Sequence, residues 1–406
     1  MNKTVYLEKN GWNVFNLGEF LQQVQRKIPR PNKPYGALGI RSHGKGTFHK
    51  VIKRPETILM DTLYQVKESD LIVNITFAWE GAIAIVRKED EDYLVSHRFP
   101  TYSFNTTIAL SQYLKYYINQ KGFFDKLGYI SPGGAGRNRV LNKKDFLKIQ
   151  ILLPPLPEQK KIAEILTSVD NTIESTRKVL KQTKRVKQGL LQKLLAKGIG
   201  HTKFKKTVIG EVPEEWEVVK IVDCIDIISG QVDPKSEPFC NYILIAPNHI
   251  ESGTGRILNK ETAKEQNAIS GKYLFKDNDV IYSKIRPYLK KAFLSNFDGL
   301  CSADMYALRA GSSILSRYLL AVVLSEFFTE FAKAKSMRTG IPKLNRKELG
   351  EFFCPLPSIA EQKKIVNILL SIDDELEATE QELSQLQQLK KGLMQDLLSG
   401  TVRVKI

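Results

Sequence analysis

Apolar side chains recur at helical spacing along two long segments, residues 158–195 and 361–398. Residues three and four apart share one face of an α-helix, so each segment predicts an amphipathic helix about 60 Å long. The apolar positions of the first segment are Ile162, Ile165, Leu166, Val169, Ile173, Val179, Leu180, Val186, Leu190 and Leu194. Those of the second are Ile365, Ile368, Leu369, Ile372, Leu376, Leu383, Leu386, Leu389, Leu393 and Leu397.

Helix-breaking residues mark the ends of both segments. Proline at 154, 155 and 157 excludes a helix upstream of the first segment, and Glu158 then places negative charge at the positive end of the helix dipole. Gly198 and Gly400 follow the last apolar positions and predict where the helices end. Gly189 and Gly392 lie inside the helices at equivalent places, where they either allow close backbone approach or are simply tolerated.

The two segments are copies of each other. "EQKKIAEILTSVDNTIESTRKVLKQTKRVKQGLLQKLL" aligns with "EQKKIVNILLSIDDELEATEQELSQLQQLKKGLMQDLL" at a constant offset of 203 residues, and half of the positions are identical. The match extends upstream to "LNKKDF" at Leu141 and "LNRKEL" at Leu344, and more weakly to Trp12 and Trp216. The chain is therefore predicted to be a tandem duplication, each half being a globular domain followed by a long helix.

Two nearly identical apolar stripes in one chain can bury each other. We therefore predict an antiparallel coiled coil with pseudo-two-fold symmetry. The residues expected to pair the helices are Ile162, Ile165, Leu166, Val169, Ile173, Leu180, Leu190, Leu194, Ile365, Ile368, Leu369, Ile372, Leu376, Leu383, Leu393 and Leu397.

The globular halves mix short apolar runs with turns and irregular loops, which predicts two tandem domains of α/β (α+β) class. One helix is expected around residues 108–118 and another near residues 313–332. The expected boundaries are 1–151 for the first domain, 152–200 for its helix, 201–353 for the second domain and 354–406 for its helix.

The net charge of +17 indicates a polyanionic partner, and nucleic acid is the natural one. Nearly all of the surplus falls before residue 201. No apolar run is long enough to span a membrane, and residues 1–8 lack the apolar core of a signal peptide. The four cysteines have neither metal-ligand nor redox spacing. We therefore expect a cytoplasmic protein with buried thiols and no membrane contact.

One stretch, "GIRSHGKGTF", nearly matches the phosphate-binding loop of nucleotide hydrolases. That loop needs a hydroxyl after its lysine to ligate magnesium, but Gly46 follows Lys45 here. It should also open a helix, whereas the residues that follow are β-prone. No glycine-rich cofactor fingerprint, histidine metal cluster or nucleophile elbow occurs elsewhere, so no catalytic centre, metal site or cofactor is expected.

The ordered, duplicated set of motifs resembles the DNA-specificity subunits of type I restriction–modification systems, over essentially the whole chain. The resemblance rests on the proline–leucine–proline lead-ins, the two "EQKKI" helix starts, the helix ends "GLLQKLL" and "GLMQDLL", "IGEVPEEWEVV", "GIRSHGKGTFHK", "NITFAWEGA", "HIESGTGRI" and "SKIRPYLKKAFL". It implies that each globular domain reads one half of a bipartite site in double-stranded DNA, while the paired helices set the spacing.

The resemblance also implies partners. Two methyltransferase subunits, which carry S-adenosylmethionine, dock on the helices, and ATP- and Mg-dependent restriction subunits complete the nuclease. This chain would itself be non-catalytic. A stand-alone DNA-binding regulator or antirestriction protein is the main alternative, and an enzyme whose motif is not visible in the sequence is the second.

Candidate DNA contacts lie in the glycine-flexed loop of the first domain and in equivalent polar stretches of the second. Arginine and lysine can pair with guanine or hold phosphate, and histidine can donate to base edges. The candidates are Arg41, Ser42, His43, Lys45, His49, Lys50, Asn248, His249, Ser283, Lys284, Arg286, Tyr288, Lys290 and Lys291.

Several of these residues and their neighbours have simpler interpretations. Lys290 and Lys291 fit phosphate contacts or solvated charge better than base reading, and Trp79 is expected in the core. Trp12 and Trp216 are expected to be packing residues. The basic face of the first helix, from Lys178 to Lys187, can contact phosphate, face solvent, or pair with acidic residues of the second helix.

Overall fold

A computed structural model describes residues 11–133, 139–336 and 340–406. Residues 1–8, which bear on the signal-peptide prediction, lie outside these ranges. The chain divides into two compact units, Met1–Thr176 with Glu382–Ile406, and Arg177–Gln381. Each unit therefore contains one globular domain, the beginning of the helix that follows it, and the end of the other long helix.

The first domain is built from short strands. They are β1 Asn13–Asn16, β2 Leu21–Val24, β3 Arg26–Pro29, β4 Tyr35–Ile40, β5 Thr47–Ile52, β6 Thr62–Gln65, β7 Leu71–Val73, β8 Ile83–Ile85, β9 Leu94–Val95, β10 Thr101–Phe104 and β11 Gln150–Leu153. Its helices are α1 Ser111–Tyr117, α2 Lys121–Tyr129 and α3 Lys143–Phe146, followed by the long helix α4 Leu156–Lys197. The sheet orders are β1-β11, β2-β10-β7-β8 and β3-β6-β9-β4-β5.

The second domain repeats this plan. Its strands are β12 Phe204–Thr207, β13 Gly210–Pro213, β14 Glu217–Lys220, β15 Ile225–Ile227, β16 Gln231–Val232, β17 Leu244–Ile245, β18 Lys272–Phe275, β19 Val280–Ser283, β20 Ala292–Leu294, β21 Gly299–Cys301, β22 Met305–Ala310 and β23 Phe353–Leu356. Its helices are α5 Ser316–Leu324, α6 Glu326–Ser336 and α7 Arg346–Leu349, followed by the long helix α8 Ile359–Leu398. Sheets β14-β23, β15-β22-β19-β20 and β16-β18-β21-β17 correspond in order to those of the first domain, except that the third has four strands where the first domain has five. In addition, β12 pairs with β13. The predicted tandem α/β domains and long helices are confirmed.

The long helices pack antiparallel within each unit. In the first unit, Leu166 near the start of α4 and Leu397 near the end of α8 share one core, and the Lys390 ammonium lies 2.6 Å from Asp170. In the second unit, the end of α4 shares a core with the start of α8, and Lys184 lies 2.7 Å from Glu380. A further ion pair joins Lys187 to Asp373. The predicted pairing residues are all buried or half-buried. Three other members of the apolar stripes are exposed, namely Val179, Val186 and Leu389.

A glutamate at the start of each long helix ties that helix to its domain and to the end of the other helix. In the first unit, Glu158 accepts a hydrogen bond from the Trp12 indole at 3.0 Å and two from the Arg403 guanidinium at 2.6 and 2.7 Å. Gly400, which ends α8 with a φ of +70°, packs against the Trp12 ring. Trp12 and its equivalent Trp216 are each 1% exposed, so the predicted packing role of both residues is confirmed.

The second unit repeats the contact with one change. Glu361 accepts hydrogen bonds from the Trp216 indole at 2.9 Å and from the Ile199 amide at 3.0 Å. His201 Nε2 lies 2.9 Å from the same carboxylate, in the place that Arg403 takes in the first unit. Burial alone would raise the pKa of Glu361, but these hydrogen bonds hold it below its usual value.

The glutamine that follows each glutamate makes an equally repeated set of contacts. Gln159 accepts from the Leu110 amide at 2.9 Å and donates to the carbonyls of Ile108 and Pro154. Gln362 accepts from the Leu315 amide at 2.8 Å and donates to the corresponding carbonyls of its own unit. Both glutamines are fully buried, so their polar atoms are satisfied by the backbone that leads into α1 or α5.

Two local expectations were wrong. The helix expected near residues 313–332 is broken at Ser325, whose extended backbone ends α5 and whose hydroxyl accepts the Phe328 amide at 3.1 Å to cap α6. Of the cysteines, Cys240 is half-buried rather than buried. In the ranges that the structure describes, no helix is both long and apolar enough to cross a membrane.

Replacing Gly189 or Gly392 with alanine is expected to raise the free energy of unfolding by about 1 kcal/mol. A Cβ at either position meets no atom within 4 Å, so the methyl group gains helix propensity without a clash. Urea denaturation of the full chain measures the change. As a matched control, Gly400→Ala should lower stability, because its Cβ would lie 3.3 Å from the Trp12 ring at a positive φ. A loss of stability in either helix-interior variant would show that these glycines are required for packing.

Glu361→Gln is expected to lower the free energy of unfolding at pH 7 by about 2 kcal/mol, because a charged acceptor of three hydrogen bonds is lost. Since the pKa of Glu361 is depressed on folding, its contribution is complete above the usual value of 4.5 and is lost as pH falls through the folded pKa. The difference between variant and wild type should therefore shrink below that pH. Glu375→Gln, at an exposed position of α8, should leave the profile unchanged. A constant difference at every pH would contradict this account.

Candidate nucleic-acid interface

A glycine loop in the first domain rests on a neighbouring hairpin. Residues 41–46 connect β4 to β5, and Gly44 and Gly46 have φ of +65° and +74°. The Gly44 amide donates to the Gly81 carbonyl at 3.1 Å, and the His43 amide donates to the Glu80 carbonyl at 2.7 Å. The loop is therefore held against the segment that joins β7 to β8, which contains the tight turn Ala78–Glu80.

The second domain contains the same arrangement. Gly253 and Gly255 have φ of +74° and +79°, and the Gly253 amide donates to the Lys290 carbonyl at 3.0 Å. Lys290 has a left-handed backbone with φ of +47°, as Gly81 does in the first domain. Each residue of this loop and of the β19–β20 hairpin has a number 209 higher than that of its first-domain equivalent. The helix repeats are offset by only 203 residues. The two domains therefore present one backbone frame with different side chains.

The first-domain loop displays several polar side chains on this frame. Arg41 donates to the Thr47 carbonyl at 2.9 Å and lies 5.1 Å from the centre of the Phe48 ring. Ser42 donates to the Glu80 carboxylate at 2.7 Å. His43 and Lys45 are exposed. Lys50 is exposed too, with its ammonium 5.3 Å from the Phe48 ring.

His49 has an intramolecular partner. Its Nε2 lies 2.8 Å from the fully buried Asp90, and its ring stacks on Tyr93 with the centres 3.7 Å apart. Asp90 also accepts from the Thr47 hydroxyl and the Arg87 amide, both at 2.9 Å. Burial would raise the pKa of Asp90, but hydrogen bonds from Arg87, His49 and Thr47 hold it below its usual value. His49 therefore anchors β5, and we do not retain it as a candidate base contact.

Candidates in the second domain divide into exposed and engaged residues. Asn248, Arg286 and Tyr288 are exposed. Lys290 pairs with Glu326, and the Lys291 ammonium donates to the Pro247 carbonyl at 2.6 Å.

Three further candidates in this domain are buried. His249 lies inside the domain with Nδ1 3.2 Å from the Leu244 carbonyl oxygen. Ser283 donates its hydroxyl to the Ile285 carbonyl at 3.0 Å. Lys284 is buried as well.

Two aromatic residues on the same frame, Phe77 and Trp79, are at least partly accessible, although neither is among the predicted DNA contacts. Trp79 is half-buried rather than in the core, with its indole donating to the Thr76 carbonyl at 3.1 Å and Arg139 5.2 Å from its ring. It is equivalent to Tyr288 in the second domain. Phe77 is 41% exposed, and it is equivalent to Arg286. The basic residues of "IPKLNRKEL" are visible in the sequence and could have indicated a positively charged surface here.

A family model described as type I restriction modification DNA specificity domain matches residues 9–185 and again residues 213–388. These two matches cover most of the chain. The chain belongs to the type I restriction modification DNA specificity family. Both matches take in one globular domain and most of the long helix after it, which agrees with the duplication.

Relatives in this family align over long stretches. The type I restriction enzyme MjaVIII specificity subunit of Methanocaldococcus jannaschii is 29% identical over 412 residues, covering 97% of this chain and 93% of that protein. The EcoDI specificity subunit of Escherichia coli is 32% identical over 298 residues, covering 68% of this chain and 66% of that protein.

Solved structures of the family share the fold. The HsdS subunit from Thermoanaerobacter tengcongensis has a TM-score of 0.51 at 19% identity, covering 99% of this chain and 100% of that one. The S subunit from M. genitalium has a TM-score of 0.55 at 13% identity, covering all of both chains. At these identities the comparison supports the architecture and not individual contacts.

Asp90→Asn is expected to lower the free energy of unfolding of this specificity-family chain by about 3 kcal/mol, because it breaks a buried network centred on a charged acceptor. Urea denaturation followed by far-UV circular dichroism measures the loss. Glu89→Gln removes the neighbouring carboxylate, which is 62% exposed, and should change stability by less than about 0.5 kcal/mol. Equal effects in the two variants would show that the Asp90 network does not stabilise β5.

Proposed function

We propose that this chain is the non-catalytic specificity subunit of a type I restriction–modification complex, and that each globular domain reads one half of a bipartite site in double-stranded DNA. The observation that carries the proposal is the repeated loop-and-hairpin frame, on which the two domains present different side chains. A reader of two unlike half-sites needs one docking geometry used twice and base-contacting groups that differ.

The differences between the domains lie where such contacts are made. His43 and Lys45 of the first glycine loop correspond to Ser252 and Thr254 of the second. In the adjoining hairpin, Phe77 corresponds to Arg286. The first-domain candidates that we retain are Arg41, Ser42, His43, Lys45 and Lys50. In the second domain we retain Asn248, Lys284, Arg286 and Tyr288.

The paired helices α4 and α8 set the spacing between the half-sites and provide docking surface for two methyltransferase subunits. Two of the basic residues of α4, Lys184 and Lys187, pair with carboxylates of α8, so part of that face stabilises the coiled coil rather than contacting DNA. Methylation with S-adenosylmethionine, and cleavage with ATP and Mg, are assigned to partner subunits. We propose that the first domain spans residues 1–151 and its helix 152–200, and that the second domain spans 201–353 and its helix 354–406.

Co-expression of this chain with the methyltransferase encoded beside it is expected to produce modified adenines in a two-part motif with a fixed, unspecified gap. Sequencing of the modified bases in host DNA reads the motif directly. The methyltransferase expressed alone is the control and should leave the motif unmodified. A soluble complex that modifies no such motif would instead favour a stand-alone DNA-binding regulator.

An exchange of domain interiors tests the modular assignment. Residues 17–149 should be replaced by those of another family member, which leaves Trp12, β1, β11 and Glu158 in place. One half of the motif should change, while the other half and the gap stay constant, because both long helices and the contact between Trp12 and Glu158 are untouched. A change in both halves would contradict the assignment of one half-site to each domain.

A further inference from the structure

Lys284 follows directly after β19, at the base of the hairpin that contacts the second glycine loop. The residue is 7% exposed, and its ammonium lies 4.9 Å from the Tyr306 ring centre and 5.9 Å from that of Tyr273. Within the described part of the chain, this ammonium has no hydrogen bond and no ion pair. Lysine is rarely this buried, because its charge loses hydration that must be replaced, and here the two tyrosine rings replace part of it.

The electrostatic surroundings of Lys284 increase this cost. Burial, and after it the nearby charge of Lys343, lower the pKa of Lys284. Asp304 acts in the opposite direction, and Arg346 lowers the pKa by less than Asp304 raises it. Lys343 and Arg346 are exposed, so the group lies beside a basic surface rather than deep in the core. Lys343, Arg346 and the exposed Asp304 all act on the Lys284 ammonium, so its surroundings carry a net positive charge that favours a ligand that accepts hydrogen bonds.

The first domain shows that the fold does not require this lysine. The Leu344 amide donates to the Lys284 carbonyl at 2.8 Å, as the Leu141 amide donates to the Ile75 carbonyl at 2.9 Å. The Lys284 amide donates to the Asp304 carbonyl at 3.0 Å, and the Ile75 amide makes the equivalent bond to Arg98, also at 3.0 Å. Ile75 therefore occupies the position of Lys284. Because Leu141 corresponds to Leu344, the preceding residue Val140 occupies the position of Lys343.

Two acceptors on DNA suit an ammonium, namely phosphate oxygens and the O6 and N7 edge of guanine. Phosphate contacts need only charge and are commonly made by flexible, exposed side chains. Lys284 is instead largely buried with its ammonium near two aromatic rings, so it offers its donors over a narrower range of positions than an exposed lysine does. In the major groove guanine presents two acceptors together. Thymine presents one acceptor beside a methyl group, and adenine and cytosine present an amino group that would face the ammonium.

We propose that Lys284 is a specificity-determining residue that reads a guanine in the half-site of the second domain. The inference rests on the proposed function and names one contact within it. Lys343 and Arg346 support the lysine by adding positive potential around the bound base edge. In the first domain, Ile75 cannot make this contact, so its half-site is read by other residues.

The test compares Lys284→Ile with wild type, each co-expressed with the methyltransferase, by sequencing modified adenines. One guanine of the second half-motif should become degenerate, while the first half and the gap stay unchanged. With the purified complex, discrimination between duplexes that carry or lack this guanine should fall about 10- to 100-fold. Lys276→Met, which removes an exposed lysine at the opposite end of β19, is the matched control and should leave the motif intact.

Other outcomes overturn the proposal. A wild-type motif with no guanine on either strand of the second half-site would exclude it without any variant. Equal weakening of binding to all duplexes, with a smaller salt dependence and an unchanged motif, would assign Lys284 to a phosphate. If Lys284→Ile does not fold, Lys284→Met keeps an unbranched side chain between the tyrosines and decides by the same readout. A wild-type complex without any two-part motif would instead reject the proposed function itself.

Discussion

The glutamate–glutamine pair at the start of each long helix is the contact on which the rest of the structure depends. Glu158 and Glu361 each hold a domain-opening tryptophan and a basic side chain that follows the end of the other helix. The adjacent glutamines bind the backbone that leads into α1 and α5. Because one dipeptide joins a domain, its own helix and the end of its neighbour, each unit needs both helices to be complete.

This attachment explains why sequence similarity is concentrated where it is. The helix repeat retains residues that satisfy buried polar groups, and replacing one partner of such a group costs more than the net value of the bond. The domains share a topology with little sequence identity, because strands need only a pattern of apolar positions and glycines at two positive-φ turns. The loop-and-hairpin frame has a glycine at the equivalent position of each domain, Gly44 and Gly253, while the neighbouring side chains differ.

Much of the architecture could be predicted from the sequence, because helix periodicity and an ungapped repeat are local signals. The two glycine loops are offset by 209 residues rather than 203. This second offset could not be predicted, since only a glycine–any residue–glycine pattern marks it in the sequence. The intramolecular partners of His49 and Lys290, namely Asp90 and Glu326, could not be predicted because they lie far away in sequence. Ser325 split a helix because a hydroxyl cap competes with helix continuation, and apolar periodicity does not record that competition.

Duplication also makes each domain a control for the other. Where both copies hold the same residue, as at the glutamate–glutamine pair, the fold accounts for it. Where one frame holds different residues, the fold tolerates both, so the costlier choice requires another explanation. The change from Arg403 to His201 keeps a basic side chain beside the equivalent carboxylate, Glu158 or Glu361, so the fold accounts for it. The change from Ile75 to Lys284 places a charge that has no ion pair among the described residues in a site that folds without one, so we seek its explanation in what the surface binds.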